Sequence, residues 1–138
     1  MRVRTVDLGD VALEVAEAGA GERAVVLLHG FTANRDEVAE VMEALAHRGW
    51  HAVAPDLRGH GGSDHPTGAG DYSFEIMAAD VVALADALGF DRFALVGHSM
   101  GGGIAQFVAL GHPERLTALV LASTFHRPVK GISMELVE

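Results

Sequence analysis

Four short, nearly unbroken apolar runs recur along this chain: 24-AVVLLHG-30, 51-HAVAPD-56, 92-RFALVG-97 and 116-LTALVLAST-124. Each is too short for a core helix and lacks a continuous polar face, the pattern of a strand covered on both sides. Between them lie segments of helical period. Residues 35–48, RDEVAEVMEALAHR, place Val38, Val41, Met42 and Leu45 at helical spacing, with acids early, bases late and Gly49 as a stop. A second helix is expected from about Ser73 to Leu88, closed by Gly89, and a third over residues 101–112. Buried strands alternating with helices require crossover connections, so the expected fold is α/β, a three-layer, mostly parallel, doubly wound sheet. A hairpin opens it. Val11 to Ala16 alternates apolar and polar side chains, and the preceding VRTVDL can pair with it through the Gly9-Asp10 turn, giving about six strands in all. No repeat, linker or low-complexity stretch divides the chain, so one domain is expected over 1–138, with residues 125–138 left as an unassigned tail.

Composition narrows the partners. A chain of 138 residues with 49% apolar and 21% charged residues can build a sizeable core. Ten basic against nineteen acidic residues leave a formal charge of -9, which repels nucleic-acid phosphates and anionic membrane surfaces, so neither is expected as a partner. The absence of cysteine excludes disulfides, a thiolate nucleophile and cysteine metal sites. The opening MRVRTVDLGD has arginines without a following apolar run, and no segment reaches the roughly 18 apolar residues of a membrane span. A cytoplasmic location is the default expectation.

The chemistry concentrates at Gly97-His98-Ser99-Met100-Gly101, set between a predicted strand and a predicted helix. A chain that turns sharply from strand to helix strains the backbone of the apex residue, and glycines two before and two after remove side chains that would collide there. The serine hydroxyl is pushed clear of the sheet. Because the turn also opens a helix, unpaired N–H groups and the positive end of the helix dipole face the place where an oxyanion would form, and Met100 supplies the first such N–H. A serine that only caps the helix would fit the same five residues. The catalytic reading gains from His29-Gly30-Phe31, which ends an earlier buried strand at the same sheet edge and offers the Phe31 N–H as a second oxyanion donor.

HGF at 29–31, DLRGHGGSD at 56–64 and GHSMGGG at 97–103, in that order and spacing, resemble the first half of an α/β-hydrolase, and the likeness covers nearly the whole chain to Thr124. That resemblance implies a fourth strand lying between the second and third. It points towards small bacterial esterases, lactonases and carbon–carbon bond hydrolases, because haloalkane dehalogenases and epoxide hydrolases of this fold carry aspartate where Ser99 stands. It also implies that the loop bearing Asp56, Arg58, His60 and Asp64 is structural, its arginine and aspartates binding loop backbone and each other, with no metal and no cofactor. His98 then reads as a hydrogen-bonding neighbour of the turn, and His47, His51 and His112 as surface residues.

A serine hydroxyl is a poor nucleophile until a base takes its proton. In the family the acid follows the seventh strand and the histidine the eighth, and neither position can be carried over onto this chain, whose last predicted strand is the sixth. Just past that strand stands Thr124-Phe125-His126, which makes His126 the candidate base. The expected activity is hydrolysis of small carboxylic esters through an acyl-enzyme, with an open, weakly selective pocket. The alternative is an inactive or weakly active half that acts as an oligomerising binding module. Either way, the last strand, LTALVLAS, would expose an apolar sheet edge that invites a second copy, through strand pairing or exchange of the tail.

Overall fold

The computed structural model describes residues 1–124. Its strands are β1 (Arg2–Asp7), β2 (Ala12–Ala18), β3 (Arg23–Leu28), β4 (Trp50–Pro55), β5 (Phe93–His98) and β6 (Leu116–Ala122), and its helices α1 (Ala39–His47), α2 (Phe74–Ala87) and α3 (Met100–Gly111). The six strands form one sheet in the order β1-β2-β4-β3-β5-β6. β1 and β2 are the expected antiparallel hairpin, β2 pairs antiparallel with β4, and the β4-β3-β5-β6 side is parallel.

The apolar runs of β3, β4 and β5 are continuous because consecutive side chains of a strand point to opposite faces and both faces are covered. On one face Val26, Leu28, Val53 and Leu95 meet Met77, Val81 and Leu84 of α2 and Ile104 and Val108 of α3. On the other, Val25, Leu27, Ala52 and Ala54 meet Met42 of α1 and Val38 just before it. At roughly 25 cal/mol per Å² of apolar surface buried, each of the valine, leucine, isoleucine and methionine side chains contributes on the order of 2 kcal/mol, which is why this pattern controls the architecture. Among the described residues no helix is long and apolar enough to cross a membrane.

The structure departs from expectation in four places. β6, read as a strand covered on both sides, is exposed over residues 117–122, since among the described residues only β5 pairs with it. The helix predicted from residue 35 begins with a 3-10 turn, Arg35–Val38, because the Asn34 side chain accepts the Asp36 N–H and the Arg35 N–H goes to Asp56 Oδ1 at 2.7 Å. Val41, expected in the core, is 49% exposed. The alternation over β2 breaks at Glu17, which is buried and ringed by Arg4 (2.5 Å), His51 (2.8 Å) and Arg2 (3.5 Å). His51 is therefore a half-buried partner of Glu17, stacked edge-on against Phe90, and not a free surface residue.

Candidate active site

β5 and α3 meet at Ser99 with no intervening loop, and Ser99 is held at φ 54°, ψ −117°, a region that residues with a side chain rarely adopt. The glycines around it are there for space. A Cβ on Gly97 would stand 2.4 Å from the Gly101 carbonyl oxygen, and one on Gly101 would stand 2.5 Å from the Leu28 oxygen and 2.7 Å from that of His29. The turn is thus pressed against the end of β3. Further bonds fix its height: the Ser99 N–H donates to the Ala122 carbonyl at 2.9 Å, and the Thr124 hydroxyl donates to the Ser99 carbonyl at 2.5 Å. Met100 is the first residue of α3, so its N–H has no intrahelical acceptor.

The segment after β3 lies directly beside this turn. His29 is fully buried, and both ring nitrogens are assigned by their partners: Nδ1–H donates to the Gly30 carbonyl at 2.7 Å and Nε2 accepts the Leu57 N–H at 3.0 Å. The ring is neutral in that arrangement, and burial holds its pKa below the ordinary 6.5. With every peptide bond among the described residues trans, the pinned Gly30 carbonyl directs the Phe31 N–H the opposite way. Phe31 itself packs edge-on against His60, 5.5 Å between ring centres. A Cβ on Gly30 would sit 3.3 Å from Ser99 Cβ and 3.6 Å from His98 Nδ1, so the HGF and GHSMG segments converge on one glycine.

His98 reaches the 3-10 turn before α1, where its Nδ1–H donates to Glu37 Oε1 at 2.5 Å. The same oxygen accepts the Gly30 N–H at 2.9 Å. Glu37 was not among the residues singled out from the sequence, where it is only one acid in the first turn of a helix. His126 lies outside the described residues.

The glycine-rich loop is held by its charges, which bind loop backbone as expected but do not pair with each other. Asp56 accepts from the Gly62 N–H at 2.9 Å and from the Arg35 guanidinium at 2.5 Å, while Asp64 accepts the Ala12 N–H at 2.8 Å. Arg58 donates to the loop backbone at the Asp71 carbonyl, 2.9 Å, but its charge pairs with Asp80 on α2, at 2.6 and 2.7 Å, and with Asp10 at 3.1 Å, not with Asp56 or Asp64. Asp80 is buried and needs a compensating charge, which Arg58 supplies. Burial still outweighs that pairing and holds the Asp80 carboxyl above its ordinary pKa. Among the described residues no three His, Asp or Glu side chains are grouped to hold a metal ion.

Residues 23–136 match the family model of the alpha/beta hydrolase fold. The chain belongs to the alpha/beta hydrolase fold family. It is 45% identical over 121 residues to a fluoroacetate dehalogenase of a Burkholderia species, covering 86% of this chain and 39% of that one. It is 38% identical to epoxide hydrolase A of Mycobacterium tuberculosis, covering 87% of this chain and 38% of that one. A crystal structure of an epoxide hydrolase from Vigna radiata superposes with a TM-score of 0.84 at 37% identity, over 87% of this chain and 39% of the other. A thioesterase domain from a curacin biosynthetic pathway superposes with a TM-score of 0.83 at 30% identity, over 90% and 46%. The alpha/beta hydrolase chain described here therefore spans about two fifths of the curated relatives it matches.

Proposed function

We propose that this chain carries the nucleophile and oxyanion hole of a serine hydrolase acting on small carboxylic esters through an acyl-enzyme. The observation that carries this reading is the backbone of Ser99, at φ 54° at the head of α3 with Gly30 against its Cβ. Ser99 Oγ attacks the acyl carbon, and the carbonyl oxygen, becoming negative, takes hydrogen bonds from the Phe31 and Met100 N–H groups. The serine proton passes to a base, supplied by His126 or by another chain, and from it to the departing alcohol. Water then cleaves the Ser99 ester and regenerates the hydroxyl. No cofactor enters the balance.

The relatives named as dehalogenase and epoxide hydrolase share the scaffold, yet the residue at 99 supports a different reaction. A serine oxygen that displaced fluoride or opened an epoxide would form an ether, which offers water no carbonyl to attack and ends after one turnover. Attack on an acyl carbon forms an ester, which water can hydrolyse. We also place a second copy of the chain along β6, where Leu119, Val120 and Leu121 are 38, 51 and 39% exposed.

The purified chain should hydrolyse p-nitrophenyl acetate, and Ser99→Ala should lose roughly a hundredfold or more of that rate. A fluorophosphonate probe should label Ser99. Equal hydrolysis by the wild type and Ser99→Ala would sink the reading.

A further inference from the structure

We propose that Glu37 is a positioning residue, whose carboxylate couples the Gly30 peptide to His98 and so holds the Phe31 N–H at a fixed place beside Ser99. The role in catalysis rests on the reading of Ser99 as the nucleophile; the coupling itself rests on geometry alone. Three groups converge on the Gly30 α-carbon, where a Cβ would lie 3.3 Å from Ser99 Cβ, 3.5 Å from Glu37 Oε1 and 3.6 Å from His98 Nδ1. Gly30 is tied on both sides. Its N–H donates to Glu37 Oε1 at 2.9 Å, and its carbonyl accepts from His29 Nδ1–H at 2.7 Å and from the Ala33 N–H at 3.3 Å. With the N–H and C=O of Gly30 both fixed, the plane of the following peptide is fixed, and with it the direction of the Phe31 N–H.

The other half of the coupling reaches the nucleophile turn. His98 immediately precedes Ser99 in the chain, and its ring donates to the same Glu37 oxygen at 2.5 Å. One carboxylate oxygen thus joins the residue before the candidate oxyanion donor to the residue before the candidate nucleophile. Glu37 is itself anchored. It lies in the 3-10 turn Arg35–Val38, which is capped by the Asn34 side chain, and the neighbouring Arg35 is clamped between Asp56 at 2.5 Å and Glu14 at 2.8 Å. An exposed ion pair between two long side chains contributes little to stability. A carboxylate that also accepts a backbone N–H is held in a defined place by charge-assisted bonds, and this suits it to fixing a geometry. Beside it the wall is apolar: Glu37 and His98 line a cavity of about 210 Å³ together with Leu27, Val38, Val41 and Val96.

The test compares Glu37→Ala with Glu37→Gln in the 138-residue chain. Glutamine keeps an oxygen that accepts from both Gly30 and His98, whereas alanine keeps none. Fluorophosphonate labelling of Ser99 should slow ten- to hundredfold in Glu37→Ala through the first-order inactivation constant, with the probe's apparent KI nearly unchanged, and Glu37→Gln should stay within about threefold of wild type. Deuterium exchange at the Gly30 amide should speed at least tenfold in Glu37→Ala only. If Glu37→Ala does not fold, Glu37→Asp replaces it with the same expectation, since it withdraws the carboxylate by one methylene. A wild-type rate in Glu37→Ala, or an equal loss in Glu37→Gln, overturns the proposal while leaving Ser99 as the nucleophile. If wild-type Ser99 takes no label, the nucleophile reading fails, and the exchange rate at Gly30 alone decides the coupling: no change in Glu37→Ala overturns it.

Discussion

His29 and the two turn glycines show what a single residue in this site is constrained to do. The His29 ring must offer one hydrogen to the Gly30 carbonyl and one lone pair to the Leu57 N–H, and a second proton on the ring would convert the latter bond into a clash of donors. Its pKa is depressed, chiefly by burial, so the stability it contributes is present above the ordinary 6.5 and is lost as pH falls through its lower folded value. In a pH titration by NMR, the His29 ring should therefore remain in its neutral form at pH 6.5, and a half-protonated ring at that pH would contradict the assignment. Gly101 is constrained by volume instead. Gly101→Ala would drive a methyl to 2.5 Å from the Leu28 carbonyl oxygen, a backbone atom that cannot swing aside, and should cost about 3 kcal/mol in a urea melt. The need for glycine here is legible in the sequence, because it follows from the sharpness of a strand-to-helix turn. Glu37 is not legible, because its importance comes from two partners, 7 and 61 residues away, that only the fold brings together.

At the scale of elements, apolar pattern and charge pairing behave differently. β3 and β5 stand out in the sequence because burial on both faces demands an unbroken apolar run, and α2 starts where Ser73 caps it by accepting the Ile76 N–H at 3.0 Å. Charge partners follow no local rule. The loop after β4 is joined to α2 through Arg58 and Asp80, both nearly out of solvent, at a separation of 22 residues. Asp80→Ala would leave the guanidinium buried with only the exposed Asp10 as a charged partner, and should destabilise the chain by about 3 kcal/mol, read as a lower urea midpoint with unchanged slope. A loss under 1 kcal/mol would mean that solvent reaches Arg58 freely. Glu17 on β2 is the opposite case in its titration. Burial resists its charge, but hydrogen bonds from His51 and Arg4 overcome that and hold its pKa below 4.5, so its contribution is full above that pH and fades as pH falls below it. The stability gap between wild type and Glu17→Gln should accordingly close under increasingly acid conditions, and a gap that stayed constant to pH 2 would refute the linkage.

For the whole molecule, the order β1-β2-β4-β3-β5-β6 leaves a different kind of strand at each end of the sheet. β1, RVRTVD, carries the charged side chains of Arg2, Arg4 and Asp7, which discourage another strand from adding to it. β6 reads LTALVLA and carries no charge at all, and among the described residues β5 is its sole strand neighbour. Its outward row of N–H and C=O groups lies beside exposed Leu119, Val120 and Leu121, an arrangement that the proposed second β6 would satisfy in backbone hydrogen bonds and apolar surface together. The pairing of two identical edges is isologous and closes after two chains, so a discrete dimer is expected in preference to an open fibre. Size-exclusion chromatography with light scattering should give that dimer, or a small closed oligomer, at micromolar concentration. Val120→Lys sets a charge in the middle of the edge and should shift the mass to that of a single chain, with the ester-hydrolysis rate serving to show whether Ser99 depends on a residue of the second copy. A monomeric wild type, or a Val120→Lys variant that elutes as the wild type does, would remove β6 as the interface. A monomeric Val120→Lys that hydrolysed p-nitrophenyl acetate at the wild-type rate would place the base within one chain, and a monomer that lost the rate while its fluorophosphonate probe still bound reversibly would place it in the partner.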